Sequence, residues 1–180
     1  MANADKAHNP RVRKPLTQER LKELMHYDPE TGVFVWSSMA VKKVQGKIAG
    51  CVWENKIRRL RYIQIRIDRN LYYAHKLVYL YVYGFMPKII DHVDCDGSNN
   101  RLNNLRSATH VQNNANARLN SRNTSGIKGV SWCEDRGRWE AKIQHNSNLI
   151  HLGRFVYLED ARNAYEKASL KYNGEFSRFQ

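Results

Sequence analysis

The stretch DHVDCDGSNNRLNNLRSATHVQNNAN, Asp91 to Asn116, opens on an acid–histidine pair and goes on to carry seven asparagines. Asparagine is a poor helix former and a poor strand former, because its amide competes for nearby backbone groups. So many in one span make either a turn-rich loop or a set of amide ligands. The chemistry such a set suits is phosphodiester hydrolysis. That reaction needs a base to activate water, a cation to offset charge on the phosphate and the departing oxygen, and a group to hold the base in orientation. Magnesium takes hard oxygen ligands and keeps several waters, so one carboxylate and one amide oxygen suffice from the protein. Asp91 can give the carboxylate, and one asparagine of SNNRLNNL can make a hydrogen bond that fixes the His92 ring. Asp91-His92 follows Ile89-Ile90 and reads as a strand end, where a bend lets neighbouring side chains serve one site. SATHVQNNANARL reads as a helix opened by Thr109 as N-cap, or by Ser107 a little earlier. On it His110, Asn113 and Asn114 share a face, so Asn113 or Asn114 can project back towards the pair.

These residues need elements to position them. Thr17 is a plausible N-cap for a helix over LTQERLKELMHY, with Leu21, Leu24 and Met25 on one face. YDPETGVFVW holds a turn signal leading into an apolar strand. RRLRYIQIRID reads as a half-buried strand, with Leu60, Tyr62, Ile63, Ile65 and Ile67 set against Arg59, Arg61, Gln64, Arg66 and Asp68, an alternation broken where Tyr62 and Ile63 fall side by side. AHKLVYLYVYGF, closed by Gly84 and Pro87, fits a buried helix or strand, and its punctuation favours a helix. After Asn120 the polar NSRNTSG reads as a linker. Beyond it, IKGVSW, GRWEAKIQ and NLIHLGRF are separated by turn signals and read as three antiparallel strands. LEDARNAYEKASLKYNG then has helical spacing, acids at its start and Gly174 at its stop.

Composition limits the partners. Of 180 residues, 42% are hydrophobic, enough for a core, yet no apolar run is long enough to cross a membrane. No signal peptide is visible, so a cytoplasmic protein is expected, in the host cell if phage-encoded. Three cysteines, odd in number, far apart and without a CxxC pair, argue against a disulfide framework or a cysteine-built zinc site. The net charge of +13 favours a polyanion, and the surplus sits mainly in residues 1–120, with 20 basic and 10 acidic side chains.

DH…NNRLNNLR…NNAN resembles the HNH nuclease motif, the ββα-metal finger, in the variant common in phage and intron homing endonucleases. The lead-in AHKLVYLYVYGFMPKIIDH is similar to that group as well. The resemblance implies that Asp91 and Asn113 hold one divalent ion, magnesium or manganese, that His92 is the general base, and that Asn104 orients it. His110 is a reserve ligand. GVSWCEDRGRWEAKIQHNSNLIHLGRFVYLEDARNAYEKA resembles the DNA-binding domain of plant ethylene-response factors (the Apetala type), in which the sheet enters the major groove. Carried over as DNA contacts are Lys128, Trp132, Arg136, Arg138, Trp139, Lys142 and Arg154, with Gln144 at a position where the plant members carry a basic residue.

The expected fold class is α+β. A basic disordered arm (1–15) precedes an HNH region (16–120, finger about 86–118), a linker (121–125) and a three-stranded sheet packed on one helix (126–180). The expected function is a metal-dependent endonuclease of the homing type that nicks double-stranded DNA, as monomer or homodimer. The rival is a regulatory or architectural DNA-binding protein without catalysis. Blander expectations stand beside these: Asn99 and Asn100 as turn builders, His75 as a satisfied core histidine, and Tyr79, Tyr81, Tyr83 and Phe85 as packing. Asp94, Asp96 and Gly97 hint at a calcium loop, but no glutamate closes it.

Overall fold

The computed structural model describes residues 15–57, 60–146 and 148–179. The expected basic arm lies, but for Pro15, outside them, as does Arg59 of the expected outward face. The described chain is a mixture of short helices and four small antiparallel sheets, as an α+β chain should be.

Thr17 caps α1 (Gln18–Leu24) by accepting from the Arg20 N–H, which satisfies one orphan donor of the first turn. The sequence expectation ran this helix on to Tyr27. Instead Met25 starts β1 (Met25–Asp28), which pairs with β2 (Val33–Trp36) across the turn at Asp28. Leu21 and Met25 are both fully buried, so the inward face continues although the backbone has left the helix. That continuity is why a helical pattern overran the boundary.

A second sheet is made by β3 (Cys51–Asn55), β4 (Leu60–Ile67) and β5 (Asn70–Tyr73). The irregularity at Tyr62-Ile63 resolves against the expected faces. Ile63, Ile65 and Ile67 meet the core, while Tyr62 shares the opposite face with Gln64 and Arg66 and stacks on Trp53. Helix α2 (Ala74–Tyr83) follows, ended by Gly84 in the left-handed conformation. It lays Leu77 and Val78 against Leu21, Phe34 and Ile65 in the first core.

The finger comes next. Strand β6 (Ile90–His92) pairs antiparallel with β7 (Leu105–Ser107), and α3 (His110–Asn116) follows behind a capping box of Thr109 and Gln112. The loop joining β6 to β7 packs tightly on its surroundings. A Cβ at Gly97 would lie 2.2 Å from the Arg61 carbonyl and 2.5 Å from the Tyr62 ring, and one at Gly32 would lie 2.5 Å from the backbone at Asn100. Glycine is required at both because backbone approaches backbone.

Strands β8 (Val130–Cys133), β9 (Arg138–His145) and β10 (Asn148–Phe155) form a sheet with β9 central, and α4 (Leu158–Asn173) covers it. Ala141 and Ile143 meet Ala161, Tyr165 and Ala168 in a second core that shares no residue with the first. The stretch read as a linker is well bonded: Ser125 Oγ donates to the Val130 carbonyl and Asn123 Nδ2 to the Ile127 carbonyl.

Candidate active site

Asp91 and His92 are both buried, although neighbouring strand residues point to opposite faces. The reconciliation is local. Strand β6 ends at His92, the chain turns back through Cys95 in the left-handed conformation, and the Cys95 N–H bonds the His92 carbonyl at 2.9 Å. Both side chains line one cleft of about 780 Å³, together with Asn113, Asp96, Arg61 and Arg118. Asn113 sits on α3, whose capping box starts the helix at His110 and so fixes which residues face the cleft. Of the two amides left open by helix geometry, Asn113 lines the cleft and Asn114 is exposed. His110, the reserve ligand, is exposed in the first turn and is not among the cleft residues.

The Asp91 carboxylate is held on two sides. Arg106 stands directly across the hairpin from it and donates from Nε to Oδ2 at 2.8 Å. Asn116 Nδ2 donates to both carboxylate oxygens at 3.0 Å and to the His92 carbonyl at 2.8 Å, tying α3 to β6. A buried carboxylate without partners would cost several kcal/mol, and these charge-assisted bonds offset that. Sequence reasoning named neither residue. Asn116 lies one helical turn beyond Asn113, and Arg106 sits in the NNLR core, so spacing and strand pairing carried the signal for both.

His92 is desolvated, which pushes its pKa below the ordinary histidine value; Asn100 and the acids Asp94, Asp91 and Asp96 push back only partly. Its Nε2 lies 3.5 Å from Asn100 Oδ1, at the outer limit of hydrogen bonding. Asn100, expected only to build a turn, is thus the amide beside the His92 ring, and its backbone carbonyl accepts from the Tyr27 hydroxyl. Asn99 does build the turn, donating to Asp94 Oδ2 at 2.6 Å.

Asn104 was expected to orient the His92 ring, and it makes no bond to that ring. Its amide instead knits the loop: Nδ2 donates to Asp94 Oδ1 and to the Asn99 carbonyl, and Oδ1 accepts from the Asp94 N–H. Its carbonyl accepts from the Val93 N–H at 2.9 Å. The amide is spent on closing the loop that follows His92. Burial disfavours the charge on Asp94, but hydrogen bonds from the Asp96 N–H, Asn99 and Asn104 outweigh it and hold that carboxyl below its usual range.

The donor set can be tested against a divalent ion. Among the described residues no group of three or more His, Cys, Asp and Glu side chains can hold a metal. One carboxylate and one amide lining the same cleft are the hard-oxygen minimum that magnesium accepts when waters and substrate phosphate complete the shell. Of the bonds described, Asp91 Oδ1 takes one and Oδ2 two, out of about four acceptor sites on a carboxylate. Capacity remains, and the residues fit.

The carried-over DNA contacts fall into three groups. Arg136 lies in an exposed turn, and Arg138, Lys142, Gln144 and Arg154 share the sheet face turned away from α4. Trp139 instead packs against the second core, with Trp132 edge-on to it at 5.1 Å and 39% exposed. Lys128 faces the finger: its Nζ donates to the carbonyls of Asn114, Ala115 and Ala117 at 3.1, 2.5 and 2.8 Å, where α3 ends. Glu140, which sequence reasoning passed over, stands in the middle of the basic face and bonds Lys142, His151 and Arg154. Lys142 first, then His151, keep its carboxyl below the usual range.

Comparison with known proteins bears on the finger. The HNH endonuclease family model matches residues 72–115, from the end of β5 into α3. A relative, Protein 3.8 of Escherichia phage T7, is 32% identical over 107 residues, covering 54% of this chain and 81% of that protein. No solved structure matches. Among the described residues no helix is long and apolar enough to cross a membrane. With four-fifths of the phage protein spanned at 32% identity, the chain belongs to the family of Protein 3.8, and the stretch that matches the HNH endonuclease model carries the strand and helix that form the cleft.

Proposed function

We propose that the chain is a metal-dependent DNA endonuclease that nicks one strand of a duplex, of the homing type that its finger resembles. The observation that carries the proposal is the cleft shared by Asp91, His92 and Asn113. His92 accepts the proton of a water that attacks the phosphorus in line, and its burial keeps it neutral and able to do so. Asp91 and Asn113 are the residues to hold a magnesium or manganese ion, which when bound offsets the charge building on the phosphate and the leaving 3′ oxygen. Asn100 and the loop tied by Asn104 keep the His92 ring in place. The products are 5′-phosphate and 3′-hydroxyl ends.

Residues 126–180 position the enzyme on double-stranded DNA in this reading, in the manner of the ethylene-response-factor domain they resemble. Arg138, Lys142, Gln144 and Arg154 on the outer sheet face are the contacts, Arg136 lies beside them, and Trp132 at the sheet edge is exposed enough to take part. A twisted three-stranded sheet fits a major groove about 12 Å wide. Lys128 and Trp139 are not among the contacts, because one caps α3 and the other builds the core.

Cleavage of supercoiled plasmid tests the proposal. Conversion to open circles with magnesium or manganese, abolished by EDTA and reduced at least about 100-fold by His92→Ala, is the expected result. Tight, salt-sensitive binding with no cleavage of any phage or host DNA would instead make the chain a DNA-binding protein with a silent finger.

A further inference from the structure

Arg106 makes more contacts than an ion pair requires. The side chain is 16% exposed and its guanidinium is used on three sides. Nε bonds Asp91 Oδ2 at 2.8 Å. Nη1 donates to the Glu175 carbonyl at 2.7 Å and lies 3.8 Å from the Glu175 carboxylate. Its Cζ sits 3.8 Å above the Phe176 ring, close enough for a cation–π contact. Glu175 and Phe176 belong to the turn that ends α4, about 70 residues downstream, and Phe176 is itself 4% exposed. The planar fork makes the arrangement specific: with one edge on a carbonyl and one face on a ring, the remaining edge has a single direction, towards Asp91. Lys128, also C-terminal to the finger, binds the end of the helix that carries Asn113.

We propose that Arg106 is a positioning residue for the Asp91 carboxylate, and that the Glu175–Phe176 turn is part of the same device. The C-terminal segment thereby completes the candidate metal site, beyond any part it takes in binding DNA. This rests on the reading of Asp91 as a metal ligand. Partners that orient a metal ligand from behind change affinity by about 10- to 100-fold when lost.

The test is manganese binding to the full chain without DNA, read by electron paramagnetic resonance of the free ion, with near-ultraviolet circular dichroism as a check on folding. Arg106→Lys keeps the charge but loses the fork, and should weaken manganese affinity about tenfold. Phe176→Ala should weaken it too, Phe176→Tyr should restore it, and the double variant Arg106→Lys/Phe176→Ala should be no worse than Arg106→Lys alone. DNA affinity in EDTA should stay within about twofold of wild type for Arg106→Lys, because the charge persists. Wild-type manganese affinity in folded Arg106→Lys and Phe176→Ala, with binding lost in Asp91→Ala, would overturn the positioning role and leave the metal reading standing. Manganese binding that is absent in the wild type, or indifferent to Asp91→Ala, would remove the metal reading and this inference with it.

Discussion

A buried imidazole is costly to charge, and two of them pack edge to face here, His75 of α2 against His92 of the finger. The His75 ring lies 5.1 Å from that of His92 and stacks on Tyr73 at 5.5 Å. Burial, then His92, then Lys76 depress the His75 pKa to about 3. The sequence suggested a satisfied core histidine, and the burial agrees, but Nδ1 meets no hydrogen-bond partner among the described residues. A folded pKa below the unfolded value of about 6.5 means that the unfolded chain takes up the proton first. The contribution is therefore intact above about pH 6.5 and is lost progressively down to about pH 3. At about 1.4 kcal/mol per unit, some 2–3 kcal/mol should be gone by pH 4.5. Urea unfolding of the wild type and of His75→Phe at pH 7.5 and 4.5 measures this; the variant should show a clearly flatter pH dependence. An equal loss in both chains would mean that His75 is not the group being titrated.

Strand β9 carries the opposite arrangement, a carboxylate inside a basic face. Glu140 holds Lys142 and Arg154 by ion pairs, so part of the charge that the proposed DNA face would offer a phosphate backbone is neutralised at close range. Glu140→Gln should release it, tightening binding at low salt in EDTA and steepening log K against log salt by about one to two units. An unchanged slope would show that this face does not meet DNA. The same elements show what a sequence reveals. Helices α2, α3 and α4 were legible because caps and stops are local: Thr109 with Gln112, Gly84, Gly174. The three strands after Gly129 were legible because turn signals separate them. Strand β3 was not, since Cys51 to Glu54 are all exposed and no alternation marks them, and β1 was masked by a helical pattern running into it. In the site, Asp91, His92 and Asn113 were visible as types at a spacing. Arg106 and Asn116 depend on a strand register and on contacts 15 and 25 residues apart, and only the folded loop decides that the Asn100 amide, not that of Asn104, faces the ring.

At the scale of the whole chain the decisive feature is that, among the described residues, one cleft gathers Asp91, His92 and Asn113, the proposed base and ligand pair. In-line attack from a fixed base reaches one phosphate at a time. Cutting both strands then needs either a second chain related by symmetry or a second, independent encounter. The surplus of +13 makes each encounter fast and strongly dependent on salt, so second encounters are common at low ionic strength and rare at physiological salt. A nicking monomer therefore predicts a particular time course. Supercoiled plasmid should pass to open circles at a rate proportional to enzyme concentration, with linear product appearing only after open circles accumulate and receding as salt is raised. Sedimentation of the chain with its duplex should show one protein per DNA. Linear product formed without an open-circular intermediate, at a rate rising with the square of the enzyme concentration, would instead require two chains on one duplex, each supplying its own His92 to one strand.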